Sequence, residues 1–166
     1  MESIPLNHPI SVTVPGAVAG WIELSKKYGN LKIEEILDLG IELCHEGFEI
    51  NEELYNSLNL HKEELSGQAS GYGFYRDNQP FETGKMIRRP QLGKTLELLK
   101  RNGLEYFYDS DITKSISSSV NGILSFDDLK NFKAEWKKPL HSKIYGFDGW
   151  TSPPSTQGYL CLLYTS

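Results

Sequence analysis

Apolar positions recur with a helical period over the first two thirds of the chain and lose that period in the last third. Ala17, Val18, Trp21, Leu24 and Tyr28 share helical spacing and predict a first helix. Pro15 suits its first turn, where a missing N–H costs nothing, and Gly29 is its C-terminal stop. The second helix is the clearest. Ile33, Ile36, Leu37, Gly40, Ile41 and Cys44 form one apolar stripe, and Glu34, Glu35, Asp38, Glu42 and His45 take the opposite, solvated face. Gly47 closes it and Phe48 packs back on its last turn. Asn51 is the N-cap of a third helix, with Glu52 and Glu53 at the positive end of its dipole.

From Ser66 to Gly84 the pattern breaks into a long loop rich in glycine, with Gln68, Asn78 and Pro80 and a short hairpin around Tyr72 to Tyr75. Pro90 restarts a helix through Leu92, Thr95, Leu96 and Leu99, which stops at Asn102-Gly103. Glu105 to Tyr108 reads as a single helical turn. Asp111 is the expected cap of a helix carrying Ile112, Ile116 and Val120, ended by Asn121-Gly122. Ser125-Phe126-Asp127-Asp128 opens a short helix to Phe132 with a capping-box pattern. Beyond Pro139, Ile144, Phe147 and Trp150 suggest two short strands joined through Gly146 or Asp148-Gly149. Pro153-Pro154 then forces an extended loop. The fold class is α+β and mostly helical.

At 166 residues, 39% hydrophobic and 23% charged, the chain has the make-up of one ordinary folded domain. Its net charge of -5 argues against a nucleic-acid partner, which calls for a basic face. No apolar run is long enough to span a membrane, and no basic-then-apolar leader is visible. Cys44 and Cys161 stand far apart and predict two unpaired thiols.

Candidate chemistry is sparse. There is no Gly-x-Ser-x-Gly elbow and no phosphate loop, and Gly71-Tyr72-Gly73 lacks the helix a nucleotide fingerprint needs. His8, His45, His61 and His141 have no metal-like spacing, so metal ligands are expected to be none. Glu34, Glu35 and Asp38 lie on a polar helix face, without the burial that would tune them for acid–base work. Lys85, Arg88 and Arg89 form a small basic run before Pro90, which reads as a solvated cluster.

Several segments, in order, carry a family resemblance. They are Val14-Pro15-Gly16-Ala17-Val18-Ala19-Gly20; Glu46-Gly47-Phe48 after Tyr28-Gly29; Pro90-Gln91-Leu92-Gly93-Lys94-Thr95-Leu96; Tyr106-Phe107-Tyr108-Asp109; Ile123 to Leu129; and Pro153-Pro154-Ser155-Thr156-Gln157-Gly158. Together they resemble the large-subunit half of γ-glutamyltranspeptidases, which are N-terminal-nucleophile hydrolases. The resemblance runs from about residue 9 to residue 162, and 163–166 look foreign to it.

The resemblance implies a precursor that cleaves itself to free a threonine at the start of a small subunit. That threonine attacks a γ-glutamyl amide such as glutathione, with its own α-amine as base. It also implies a four-layer αββα fold, a small-subunit partner and no cofactor. The nucleophile is expected C-terminal of the Pro-Pro loop and the carboxylate-binding arginine N-terminal of Val14. Both are expected outside this chain, so no catalytic residue is assigned: Thr151, Thr156 and Thr165 do not match the nucleophile motif, and Arg88 and Arg89 do not match the binding arginine. Gln157, where many transpeptidases have glycine, looks more like acylase-like members. A non-catalytic helical interaction module derived from the fold is the further alternative. Trp21, Ile36, Leu37 and Ile41 are expected to lack their natural partner surface, leaving the isolated chain prone to aggregate.

Overall fold

A computed structural model describes residues 8–68 and 71–165. Ser166, part of the segment expected to be foreign, lies outside the described residues, as do Ala69 and Ser70 of the predicted loop. The chain forms two compact units that divide between Phe132 and Lys133.

The first unit is helical. Helix α1 (Ala17–Tyr28) starts after Gly16 as N-cap, so Pro15 precedes the helix rather than occupying its first turn. Gly16 is required by packing, because a Cβ there would lie 2.9 Å from the Phe132 ring. The apolar stripe of α1 is split: near its N-terminal end Val18 is buried and Trp21, as expected, is not covered, whereas Leu37 of the next helix, also expected to lack a partner, is buried. Val18 and Ala19 are buried, whereas Trp21, Leu24 and Tyr28 are 42%, 54% and 65% exposed.

Helix α2 (Ile33–Glu46) ends at Gly47, whose φ of 102° turns the chain into strand β1 (Phe48–Glu49). Asn51 caps α3 (Glu52–Leu60) as predicted, its side chain accepting from Leu54 N at 2.8 Å. A single turn, α4 (Lys62–Leu65), follows. The predicted hairpin lies further along than Tyr72–Tyr75. Strands β2 (Tyr75–Arg76) and β3 (Gln79–Pro80) pair around Asp77-Asn78, both at positive φ, which Asp and Asn tolerate better than most residues. Strand β4 (Met86–Ile87) returns to pair antiparallel with β1, Phe48 facing Ile87.

Helix α5 (Pro90–Asn102) packs along α2. Gly93 makes the approach possible: a Cβ there would meet His45 Nε2 at 2.9 Å and Cys44 Cβ at 3.1 Å. Leu37, Cys44 and Leu99 are buried in this unit. Two polar pairs bracket the crossing, Asp38 with Lys100, and His45 Nε2 with Glu97 Oε1 at 2.9 Å. Asp38 and His45 therefore reach across to α5 rather than facing only solvent, because they flank the buried stripe closely enough to touch its neighbour.

A 3-10 turn at Leu104–Phe107 leads to Tyr108, whose buried ring stacks edge-on to Phe107 at 5.0 Å. Helix α6 (Asp111–Ser119) is capped by Ser110 rather than Asp111, with Thr113 closing the box. Thr113 is fully buried, yet its hydroxyl is satisfied: it donates to Phe107 O at 2.9 Å and accepts from Ser110 N at 3.1 Å. Helix α7 (Phe126–Lys130) carries the expected capping box between Ser125 and Asp128, and ends two residues before Phe132.

In the second unit, β5 (Leu140–Ile144) and β6 (Phe147–Thr151) pair antiparallel from Leu140↔Thr151 to Ile144↔Phe147. Of the two predicted joints the chain uses Gly146, with Tyr145 and Gly146 both at positive φ. That is the turn geometry that matches hairpin twist. After the Pro-Pro loop, an eight-residue helix α8 (Gly158–Thr165) forms.

Candidate functional site

The residues singled out in the sequence do not gather into a catalytic set. His8 Nδ1 accepts from Ile10 N at 3.2 Å and caps a short 3-10 turn. His61 pairs with Glu64 at 3.4 Å within one helical turn. His141 bonds Asp148 across the β5–β6 ladder at 2.6 Å and stacks on Trp150, ring centroids 4.3 Å apart. Among the described residues no three His, Cys, Asp or Glu side chains converge as a metal site would require.

The basic run is taken apart by the fold. Lys85 lies 6.0 Å from the Phe81 ring centroid. Arg88 Nε donates to Glu46 O at 3.1 Å, and Arg89 N to Cys44 O at 2.9 Å, so both arginines serve the last carbonyls of α2. For the Arg88 guanidinium this is the end where positive charge is favoured, whereas Arg89 contributes only its backbone amide. The Arg89 guanidinium sits 4.5 Å over Phe74, and its Nη1 is buried without a hydrogen-bond partner. Gly71-Tyr72-Gly73 leads into β2, not a helix.

Carboxylates whose pKa moves all move down. The Lys114 ammonium lowers Asp111, the Ser125 hydroxyl and amide lower Asp128, and Lys137 lowers Glu135. Each is thereby held in its charged form, the opposite of what a general acid needs. Burial raises Tyr108, partly offset by the hydrogen bond from the Ala19 amide.

Another candidate element is the loop from Ser152 to Gly158. Thr156 Oγ1 donates toward Ser152 O at 3.2 Å and Pro153 O at 3.0 Å, and Thr156 N bonds Pro153 O at 3.3 Å. The loop thus folds on its own backbone. Gln157 O accepts from Leu160 and Cys161 N as α8 begins. Thr151 Oγ1 presses against Gly158 so closely that a Cβ has no room there. Thr151 and Thr156 are spacers and staples of this loop, and Thr165 is the last residue of α8.

Across residues 1–165 the sequence matches the family model described as Gamma-glutamyltranspeptidase. The chain belongs to the γ-glutamyltranspeptidase family. Among its curated relatives is the capsule biosynthesis protein CapD proenzyme of Bacillus anthracis, 30% identical over 94% of this chain and 29% of the relative. Among solved structures, Helicobacter pylori γ-glutamyltranspeptidase superposes with a TM-score of 0.85 at 25% identity, covering 98% of this chain and 49% of that one. Cephalosporin acylase from Bacillus halodurans also gives 0.85, at 26% identity over 97% of this chain and 32% of that one. The chain therefore has the fold of part of these proteins and spans well under two thirds of their length.

The segments that resemble the transpeptidase family occupy structural joints. Pro15-Gly16 precedes α1, Glu46-Gly47-Phe48 turns α2 into β1, Pro90 to Leu96 opens α5 with Gly93 at the crossing, and Ser125 to Leu129 is a capped helix start. The tertiary contacts of Tyr108 are what pattern reading missed. Its hydroxyl donates to Pro15 O at 2.7 Å and accepts from Ala19 N at 3.1 Å. The run Tyr106-Phe107-Tyr108 reads as a helical turn and as part of the resemblance, and nothing local distinguishes Tyr108 from Tyr106.

Proposed function

We propose that this chain is a large-subunit segment of an autoprocessing amide-cleaving enzyme of the γ-glutamyltranspeptidase family, supplying scaffold rather than reacting groups. The continuous family match over 1–165 carries this reading. The engagement of Thr151 and Thr156 in loop closure supports it. In the complete αββα fold this segment contributes outer helices and the β5–β6 hairpin, and the partner is the small subunit of the same precursor. The reacting threonine lies elsewhere in that precursor. Its Oγ adds to the γ-glutamyl carbonyl while its α-amine takes the proton. Backbone donors hold the oxyanion, the amide nitrogen leaves with the proton, and water or an acceptor amine resolves the ester.

The test is to express the uninterrupted reading frame containing this chain and assay it on a γ-glutamyl anilide. Self-cleavage into two chains with aniline release is expected, and no release from residues 1–166 alone. Release by the isolated chain, or a long polypeptide that stays uncleaved and inert, overturns the proposal; the second outcome leaves the helical interaction module.

A second reading has its own support. Gln157 and the similarity to a cephalosporin acylase favour an acyl donor other than γ-glutamyl. An anilide lacking the α-amino group separates the two. Preference for it favours the acylase, and strict dependence on the α-amine favours the transpeptidase.

A further inference from the structure

The fold separates Lys85 from Arg88 and Arg89, its neighbours in sequence, and brings it to Arg76. Strands β2 and β3 carry Arg76 and Gln79, and the chain then turns back through Glu82 to Lys85, whose amide donates to Glu82 O at 3.1 Å. The two cations share one aromatic ring: the Arg76 guanidinium lies 5.4 Å and the Lys85 ammonium 6.0 Å from the Phe81 centroid. At such distances the ring quadrupole attracts each of them. The backbone around them is tied down on both sides. Phe81 N donates to Phe74 O at 3.0 Å, Gly84 N to Ile50 O at 2.8 Å, and Ile50 N to Lys85 O at 3.0 Å. The result is an open cleft of about 570 Å³ with Arg76, Gln79, Phe81, Thr83 and Lys85 on its walls.

These walls carry donors that the chain leaves unused. Among the described residues, the side chains of Arg76, Gln79, Thr83 and Lys85 have no hydrogen-bond or ion-pair partner. Lys85 is the telling case. Glu82 lies one turn away, yet no ion pair forms with it and the ammonium goes to the ring instead. Two like charges brought to one ring repel each other, and an anion beside both offsets that repulsion. A guanidinium fork and an ammonium, with an amide and a hydroxyl alongside, make the donor set that a phosphate group takes up through its several oxygens. We propose that this cleft binds a phosphate group, with Arg76 as bidentate donor, Lys85 as point charge and Phe81 as the platform that holds both in place. Asp77 and Glu82 also line the cleft. Their carboxylates limit the affinity and disfavour ligands with more negative charge than the two cations offset. Every group involved lies within residues 76–85, so binding stands apart from whatever reaction the longer polypeptide performs.

The test is titration calorimetry of inorganic phosphate into the longer polypeptide from the uninterrupted reading frame, at low ionic strength. Saturable binding is expected, weakening as salt is raised. Arg76→Gln and Lys85→Gln should each weaken it by roughly tenfold, the equivalent of one lost charge-assisted hydrogen bond. Glu82→Gln should strengthen it by roughly twofold, which damage to the fold would not do. Arg88→Gln alters a cation outside the cleft and should leave binding unchanged. Melting curves of the variants should coincide with the parent's, because Arg76, Glu82 and Lys85 are exposed. Absence of saturable binding up to on the order of 10 mM phosphate overturns the proposal. So does unchanged binding in both Arg76→Gln and Lys85→Gln, or a loss in Arg88→Gln equal to that in Arg76→Gln. Tighter binding of succinate, which carries two negative charges on a different frame, overturns it as well. Glycerol phosphate separates two sources of the same group. Binding tighter than phosphate by about threefold or more assigns the site to a phosphomonoester, and equal or weaker binding assigns it to the free ion; both support the site. Self-cleavage and anilide hydrolysis, followed on the same preparation, report on the enzyme reading separately.

Discussion

Helix α2 has two apolar sides with opposite fates. Gly40 and Cys44 meet α5, where Gly93 lets the backbones close up and two polar pairs stand at the borders, and Leu37 is buried. Ile36, Leu39 and Leu43 are also large and apolar, yet they stay 50%, 64% and 44% exposed. Hydrophobicity alone therefore does not decide which side is buried. The side with a glycine opposite and polar residues flanking it found its partner within the chain. The bare side shows neither device among the described residues.

The sharpest way to test that contrast is to truncate one leucine on each side. Leu37, 7% exposed, should lose roughly 3 kcal/mol on change to alanine. Leu39, 64% exposed, should lose less than about 0.5 kcal/mol in the isolated chain. Denaturant melts of the two variants measure both, and equal losses would erase the distinction. Next in size is Gly93→Val, which pushes a branched side chain into His45 and Cys44. Overpacking of this kind should cost about 2 kcal/mol and loosen the α2–α5 crossing, visible as faster amide exchange in both helices. The smallest effect belongs to the bracket itself. Glu97→Ala removes the partner of His45, a half-exposed pair, and should cost under about 1 kcal/mol, with the loss shrinking in high salt. A large, salt-insensitive loss would mean that the pair rather than the packing holds the helices together.

The sequence made the helices legible because their apolar period is strong and their caps are local. Asn51, Ser125 and the Asn102-Gly103 stop all stand where the pattern put them. Burial was less legible. The apolar stripe of α1 is buried only at Val18, and its other buried residue is Ala19, whose amide donates to the Tyr108 hydroxyl. Ile36 and Leu37 read as one stripe, yet Ile36 is 50% exposed and Leu37 is buried. The two-residue strands β1 and β4 escaped notice, and the predicted hairpin falls a few residues early, because alternation cannot register in so short a run. Ordered motifs named the family, but the work those residues do is tertiary. Gly93 and Tyr108 matter through partners that no local window contains.

The hydroxyl of Tyr108 bears on the order in which the chain can assemble. It bonds Pro15 and Ala19 across separations of 93 and 89 residues. Helix α1 can coil as soon as it is made, but its seat does not exist until Tyr108 has been synthesised. For most of the emergence of this unit, α1 waits with its small-residue face uncovered. Its docking is a late, non-local closure whose loop entropy must be overcome before the contact rewards it.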